Sequence, residues 1–255
     1  MNLENRLRKR RVRKQRKRKR LQKLKRQNQP KQRKKPPRKD FEALEADYSA
    51  RGFVVAGADE AGRGAYAGPL AVGFVVFSPE VLTRIPSELK EVNDSKQLSA
   101  ADRLRLATVI RAHAQFCCVV HVSNRKIDRM GINPSTEFAL LRALRRAEIA
   151  GIPVSAILMD GRFRFERLQK KVKVETLVQG DSRVLSIAAA SILAKTSRDA
   201  RMDRFGSIFP QYSLADHKGY GTKAHRDEIK RNGVTRLHRQ SYGIIEQPML
   251  DFGDQ

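Results

Sequence analysis

Residues 187–194 read Ile-Ala-Ala-Ala-Ser-Ile-Leu-Ala, eight positions with four alanines and no charge. Side chains this small let a helix settle close against whatever it covers, so the segment is expected to be a helix packed directly on a β-sheet. The helix opens after Gly180-Asp181-Ser182, which puts Asp181 at its expected N-cap. The sheet is legible upstream. Phe53 to Ala58 and Leu70 to Phe77 are β-rich runs joined by a glycine-containing turn, and they read as an antiparallel pair. Phe116 to Val122, Val154 to Met159 and Val172 to Val178 supply three further strands. Between them, helical spacing is expected at Phe41, Leu44 and Tyr48, after Ser99, after Asn133-Pro134-Ser135, and near Lys223 to Asn232. Strands come first and then alternate with helices, which predicts an α/β chain with a mixed sheet flanked by helices.

Charge divides the 255 residues into two regions. Residues 1–40 hold 21 Lys+Arg and two acids, Glu4 and Asp40, a net of +19 out of the formal +26. The other 215 residues carry 32 Lys+Arg and 25 Asp+Glu, a mild +7. A block of like charge repels itself and stays solvated, so 1–40 reads as a disordered basic arm and 41–255 as the folded body. The arm suits a tether for nucleic acid, a solubilising tail or an import-like signal.

Cys117 and Cys118 are the only cysteines, adjacent and inside an apolar run, so they read as buried small hydrophobes. They form neither a disulfide framework nor a zinc spacing, which fits a reducing cytoplasmic location. No apolar run is long enough to span a membrane, and the N-terminus resembles neither a secretory signal nor a transit peptide.

Four carboxylates stand at element boundaries. Asp59 and Glu60 end the first strand and precede Gly62-Arg63-Gly64. Asp160 follows the central strand just before Gly161, and Asp181 precedes the small-residue helix. In open α/β sheets the strand ends are where ligands bind. Acids gathered there cannot all ionise without a counter-charge. With no cysteine or paired histidine among them, oxygen ligands point to Mg²⁺ or Mn²⁺. Two such ions about 3.5–4 Å apart would suit phosphodiester hydrolysis. His217, His225 and His238 are not spaced as a metal set and read as surface histidines. Lys195 and Arg198 share one face of the long helix, suited to steering a phosphate backbone or simply to solvation.

Gly57-Ala58-Asp59-Glu60-Ala61-Gly62-Arg63-Gly64 resembles the signature of ribonuclease HII. The resemblance continues through Asn93-Asp94-Ser95-Lys96-Gln97-Leu98-Ser99, Met159-Asp160-Gly161 and Gly180-Asp181-Ser182. It extends to Ile187 through Lys195 and to His217-Lys218-Gly219-Tyr220-Gly221-Thr222. It implies an RNase H-like fold, a mixed five-stranded sheet with helices and a C-terminal helical extension from about residue 205. It further implies hydrolysis of the RNA strand of RNA–DNA hybrids, and cleavage 5′ of ribonucleotides embedded in duplex DNA. The ends left would be 3′-hydroxyl and 5′-phosphate. Asp59, Glu60 and Asp160 match the family's metal ligands, and Asp181 its fourth acid. The Gly62-Arg63-Gly64 turn matches the segment that contacts the 2′-hydroxyl, the group that distinguishes RNA from DNA. Arg63 and Lys96 suit phosphate contacts. Tyr220, by itself a core or loop tyrosine, resembles the one that packs on the neighbouring deoxyribose. A monomer is expected.

The arm lies outside the resemblance. Ser241-Tyr242-Gly243 stands where the family more often has Ser-Phe. Two rival readings remain at this level. An RNA-binding or ribosome-associated protein would explain the arm but not four acids on a basic chain. A structure-specific DNA endonuclease would explain the acids but not the glycine turn and Tyr220.

Overall fold

The structure, a computed structural model, describes residues 42–92, 95, 96 and 98–243. The basic arm, Phe41, and Asn93, Asp94 and Gln97 of the second motif lie outside them. Five strands form one sheet: β1 (Val55–Ala61), β2 (Leu70–Val76), β3 (Phe116–Val122), β4 (Ala156–Asp160) and β5 (Lys173–Leu177). Their order is β3-β2-β1-β4-β5. β1–β2 and β2–β3 pair antiparallel, while β1–β4 and β4–β5 pair parallel. This is the mixed five-stranded sheet the sequence predicts.

Helices of nine residues or more are numbered α1 (Glu42–Ala50), α2 (Ala100–His113), α3 (Ile132–Ile149), α4 (Leu185–Ile208) and α5 (Lys223–Asn232). α3 covers one face, burying Leu140, Ala143 and Leu144 against Leu70, Val72 and Phe74. α4, with α2 beside it, covers the other. Ser99 starts α2 as expected, its hydroxyl accepting the Asp102 N–H at 3.1 Å. Cys117 and Cys118 are only half-buried, because β3 is an edge strand.

The small residues of α4 do what their size allows. A Cβ on Gly57 would sit 2.2 Å from Ser186 Oγ, and one on Gly73 only 2.1 Å from the Ala190 carbonyl oxygen. Helix backbone therefore rests directly on β1 and β2. The N-terminus of α4 differs from expectation. Its N-cap is Val184, and Asp181 lies earlier, in a separate 3-10 turn, Gly180–Ser182, entered through a left-handed Gln179 (φ 56°). The capping acceptor comes instead from α1. Buried Glu45 accepts the Ser186 N–H at 3.3 Å, and burial pushes its carboxyl up to about 7.

Beyond α4 the chain forms a short helix, Leu214–His217, then α5, and returns along the turn after β1. Isolated bridges join Ala65 to Tyr220 and Ala67 to His238. The C-terminal extension is thereby tied to the connection between β1 and β2. Among the described residues no helix is long and apolar enough to cross a membrane.

Candidate active site

β1 and β4 run parallel and end at the same edge of the sheet, which brings their terminal acids together. Asp59, Asp160 and Asp181 each offer a carboxylate oxygen, all within 4.8 Å of one another. Local bonds help to fix this arrangement. Asp59 Oδ1 accepts the Glu60 N–H at 2.7 Å, and Asp160 Oδ1 accepts the Gly180 N–H at 2.7 Å. The second bond pins the turn carrying Asp181 to the end of β4.

Strand alternation sends Asp59 and Glu60 to opposite faces. Asp59 turns toward α4, where Ser191 bonds its side chain. Ser191 Oγ also lies 2.9 Å from Ser95 Oγ, so the loop bearing Lys96 is tied through α4 to Asp59. Glu60 lies outside the three-oxygen group but close enough to Asp160 to raise its own pKa.

The electrostatics are those of buried acids crowded together. Burial holds the Asp59 carboxyl well above its usual range, and the charges of Glu60 and Asp160 push it further. Burial likewise lifts Glu60 to about 7; Arg63 and Lys96 oppose that rise and Asp160 adds to it. Glu60 Oε2 is a buried oxygen with no hydrogen-bond partner. Buried oxygens are normally satisfied, so this one calls for a partner of opposite charge. Hard oxygen donors at this spacing, with the Glu60 carboxylate beside them, fit a divalent cation of the Mg²⁺ or Mn²⁺ kind.

The turn Gly62-Arg63-Gly64 is gripped from two sides. The Gly62 N–H donates to the Tyr220 hydroxyl at 3.2 Å. Arg239, wholly buried, donates to the carbonyls of Gly62 at 2.7 Å, Arg63 at 2.8 Å and Gly68 at 3.1 Å. Arg63 lays its guanidinium 4.9 Å above the Phe163 ring and donates to Asn133. Its Nη1 has no partner. Gly64 is exposed at the tip, and Lys96 is exposed nearby.

Some sequence readings change here. Arg198 is neither solvated nor on the surface. It is fully buried, donates to the carbonyls of Ala67, Pro69 and Lys218, and lies 5.2 Å from the Tyr220 ring. Lys195, half-buried on the same helix, pairs with Asp199 at 2.8 Å. His217, His225 and His238 are buried together rather than exposed, because α5 and the returning C-terminal segment close over them. Ser191, Glu45 and Arg239 are supports that carry little local mark in the sequence. For Ser191 the mark is a single serine inside the apolar run 187–194.

A family model described as Ribonuclease HII matches residues 56–244. The ribonuclease HII of Pelodictyon phaeoclathratiforme is 44% identical over 194 residues, 75% of this chain and 90% of that protein. That of Chloroflexus aggregans is 42% identical over 214 residues, 83% of this chain and 95% of its own length. Among solved structures, a chain from the PCNA:RNase HII complex of Archaeoglobus fulgidus matches with a TM-score of 0.61 at 28% identity. It covers 77% of this chain and 98% of its own. The ribonuclease H2 of Pyrococcus horikoshii has the same fold, with a TM-score of 0.60 at 24% identity over 74% of this chain and 94% of its own. Similarity this high over this much of the sequence leaves one family, and the chain belongs to it: ribonuclease HII, metal-dependent endonucleases that act on RNA–DNA hybrids.

Proposed function

We propose that the chain cleaves the RNA strand of RNA–DNA hybrids and also cuts 5′ of single ribonucleotides embedded in duplex DNA, leaving 3′-hydroxyl and 5′-phosphate ends. The observation that carries this reading is the convergence of Asp59, Asp160 and Asp181 within 4.8 Å beside the glycine turn. Asp59, Glu60 and Asp160 hold divalent metal, Mg²⁺ or Mn²⁺, with Asp181 completing the catalytic acids. These residues would hold divalent metal, and the chemistry it would supply there is positive charge toward an attacking water and a leaving oxygen, in the two-metal manner.

The chain's own residues select the substrate. Gly62, Arg63 and Gly64 bring backbone and exposed glycine to the 2′-hydroxyl, a group that both donates and accepts. Tyr220, its hydroxyl already at the Gly62 N–H, packs on the deoxyribose that neighbours the ribonucleotide. Lys96 and Arg63 hold phosphates and position the strand. The folded body, 41–255, works as a monomer in the cytoplasm, and the arm 1–40 adds nonspecific affinity for the duplex.

The test is a duplex carrying one ribonucleotide, digested with Mg²⁺, with Mn²⁺ or with EDTA, and mapped at its ends. A single cut 5′ of the ribonucleotide, abolished by EDTA, is expected. Cutting of the all-DNA duplex, or a 2′,3′-cyclic phosphate end, would overturn the reading.

A further inference from the structure

Three histidines from the C-terminal extension form one buried column. The rings of His217 and His225 stack with centroids 4.2 Å apart and planes 18° apart. His225 Nε2 and His238 Nε2 lie 3.2 Å from each other. Exposures are 9% for His217, 0% for His225 and 3% for His238.

The protons can be placed from what each nitrogen faces. The Gly219 N–H donates to His217 Nδ1 at 3.1 Å, so the His217 proton sits on Nε2, which donates to Glu228 at 3.0 Å. The Thr235 N–H donates to His238 Nδ1 at 2.8 Å, so His238 also carries its proton on Nε2, aimed at His225. His225 Nδ1 faces the Tyr220 carbonyl oxygen at 3.0 Å, which can only accept. His225 is therefore protonated on Nδ1 and accepts from His238 through Nε2. This one assignment satisfies all six ring nitrogens, with three neutral rings. The groups facing His225 are His217, His238 and Glu228, with the Tyr66 and Tyr212 rings at 6.2 Å. Burial pushes His225 down to about 4, in keeping with a neutral ring.

Both outputs of the column fall on the loop that presents Tyr220. His225 holds the Tyr220 carbonyl, and His217 holds the Gly219 N–H. The Gly219 carbonyl in turn accepts from Tyr66 at 2.8 Å and Ala67 at 3.1 Å, in the β1–β2 connection.

We infer that His217, His225 and His238 are positioning residues that set the Tyr220 ring and hydroxyl against the Gly62 turn, and so tune recognition of a lone ribonucleotide. This rests on the reading of Tyr220 given above, and the experiment separates the two.

In the full-length chain, kcat/KM is measured on a duplex with one ribonucleotide and on a hybrid with a uniform RNA strand. His225→Leu removes both ring nitrogens. His225→Asn keeps an N–H donor where Nδ1 stood. The ratio of the two activities should shift roughly 5- to 10-fold in His225→Leu, the effect of one buried hydrogen bond, in the same direction as in Tyr220→Ala. His225→Asn should restore most of it. A parallel loss on both substrates, or an Asn variant no better than Leu, would overturn the role. If Tyr220→Ala leaves the ratio unmoved, the reading of Tyr220 falls and this role with it. Nitrogen-15 NMR of the imidazoles tests the column independently of activity. His225 should be the Nδ1–H tautomer and the other two Nε2–H at neutral pH, and any other pattern would contradict the arrangement.

Discussion

The Tyr242 hydroxyl donates to the Arg63 carbonyl oxygen at 2.6 Å. Arg239 donates to that same oxygen at 2.8 Å and to the Tyr242 hydroxyl at 2.9 Å. Three bonds thus close a triangle behind the turn expected to read the 2′-hydroxyl. The hydroxyl is also the point at which this chain departs from the Ser-Phe more usual in the family. Tyr242→Phe keeps the ring beside Arg239, 5.0 Å away, and opens the triangle. Stability should fall by about 1 kcal/mol. Hybrid cleavage should weaken only a few-fold, through KM, as thermal melts and steady-state kinetics would register. A loss in kcat of hundredfold or more would mean that the hydroxyl has a part in the chemistry.

Asp59→Asn removes one of three converging oxygens and little bulk. Turnover on a hybrid should drop at least ~10²–10³-fold, the scale of losing a group that stabilises developing charge. Hybrid affinity, measured by fluorescence anisotropy, should stay within a few-fold of wild type, because Lys96 and Arg63, the residues proposed to hold phosphate, are untouched. Full turnover by Asp59→Asn would refute the proposed site.

The same acids make metal-free stability depend on pH. Glu60 titrates near 4.5 when unperturbed and near 7 in the fold, and Asp59 is also raised. A raised carboxyl favours the fold below its unfolded pKa, and that contribution is lost as pH rises through the folded value. His225, lowered from 6.5 to about 4, has the opposite slope: its contribution is intact above 6.5 and is lost as pH falls toward 4. The two effects overlap, so the informative quantity is a difference. Glu60→Gln shares the histidines, and at pH 8 in EDTA it should melt about 2–5 °C above wild type. Adding Mn²⁺ should raise the wild-type melting temperature and narrow that gap. Equal melting temperatures in EDTA at pH 8 would show that the acids do not strain the fold.

Much of this layout could be read in the chain itself, for a physical reason. Strand runs, glycine turns and the small-residue helix are local patterns, and the acids stood at their boundaries. Those patterns predict the sheet and put Asp59, Glu60, Asp160 and Asp181 at the boundaries of its elements. The supports could not be read the same way, because each joins residues far apart in sequence. Glu45 reaches Ser186, Ser95 reaches Ser191, and Arg239 reaches Gly62. The histidines illustrate the point best. Polar side chains in a glycine-rich stretch suggest a surface, and only the folding of α5 onto the β1–β2 connection buries them. The local pattern alone puts Asp181 at a helix N-cap, since nothing near it in sequence shows that Glu45 meets the first turn of α4.

Gly73 lies directly opposite Asp59 in the β1–β2 register and directly beneath α4. In Gly73→Ala the new Cβ would meet the Ala190 carbonyl oxygen at 2.1 Å, a clash with helix backbone that no rotamer relieves. The helix must lift, at a cost of about 1–3 kcal/mol. Lifting moves Ser191 away from Asp59, so activity should fall further than the loss of folded protein explains. Gly64→Ala is the matching control, with nothing within 4 Å of its Cβ. It should melt within about 0.5 kcal/mol of wild type. Equal stability of the two variants in denaturant titrations would mean that α4 does not rest on β2 as described.

The arm carries +19 of the chain's formal charge in 40 residues, so its contribution should appear as salt dependence rather than as specificity. Each phosphate that a Lys or Arg neutralises releases a counterion and adds about 0.9 to the slope of log affinity against log salt for a duplex. Deleting residues 1–40 leaves the acids and the glycine turn untouched. Affinity for a hybrid should therefore fall most at low salt, and the slope should flatten by several units. Meanwhile kcat at saturating substrate and the position of the cut should not change. Anisotropy titrations between about 50 and 200 mM salt cover the range in which such contacts dominate. An unchanged slope would show that the arm does not touch nucleic acid and would leave solubility, or another anionic partner, as its role. A displaced cut would show that the arm helps to place the substrate, which a sequence-blind tether cannot do.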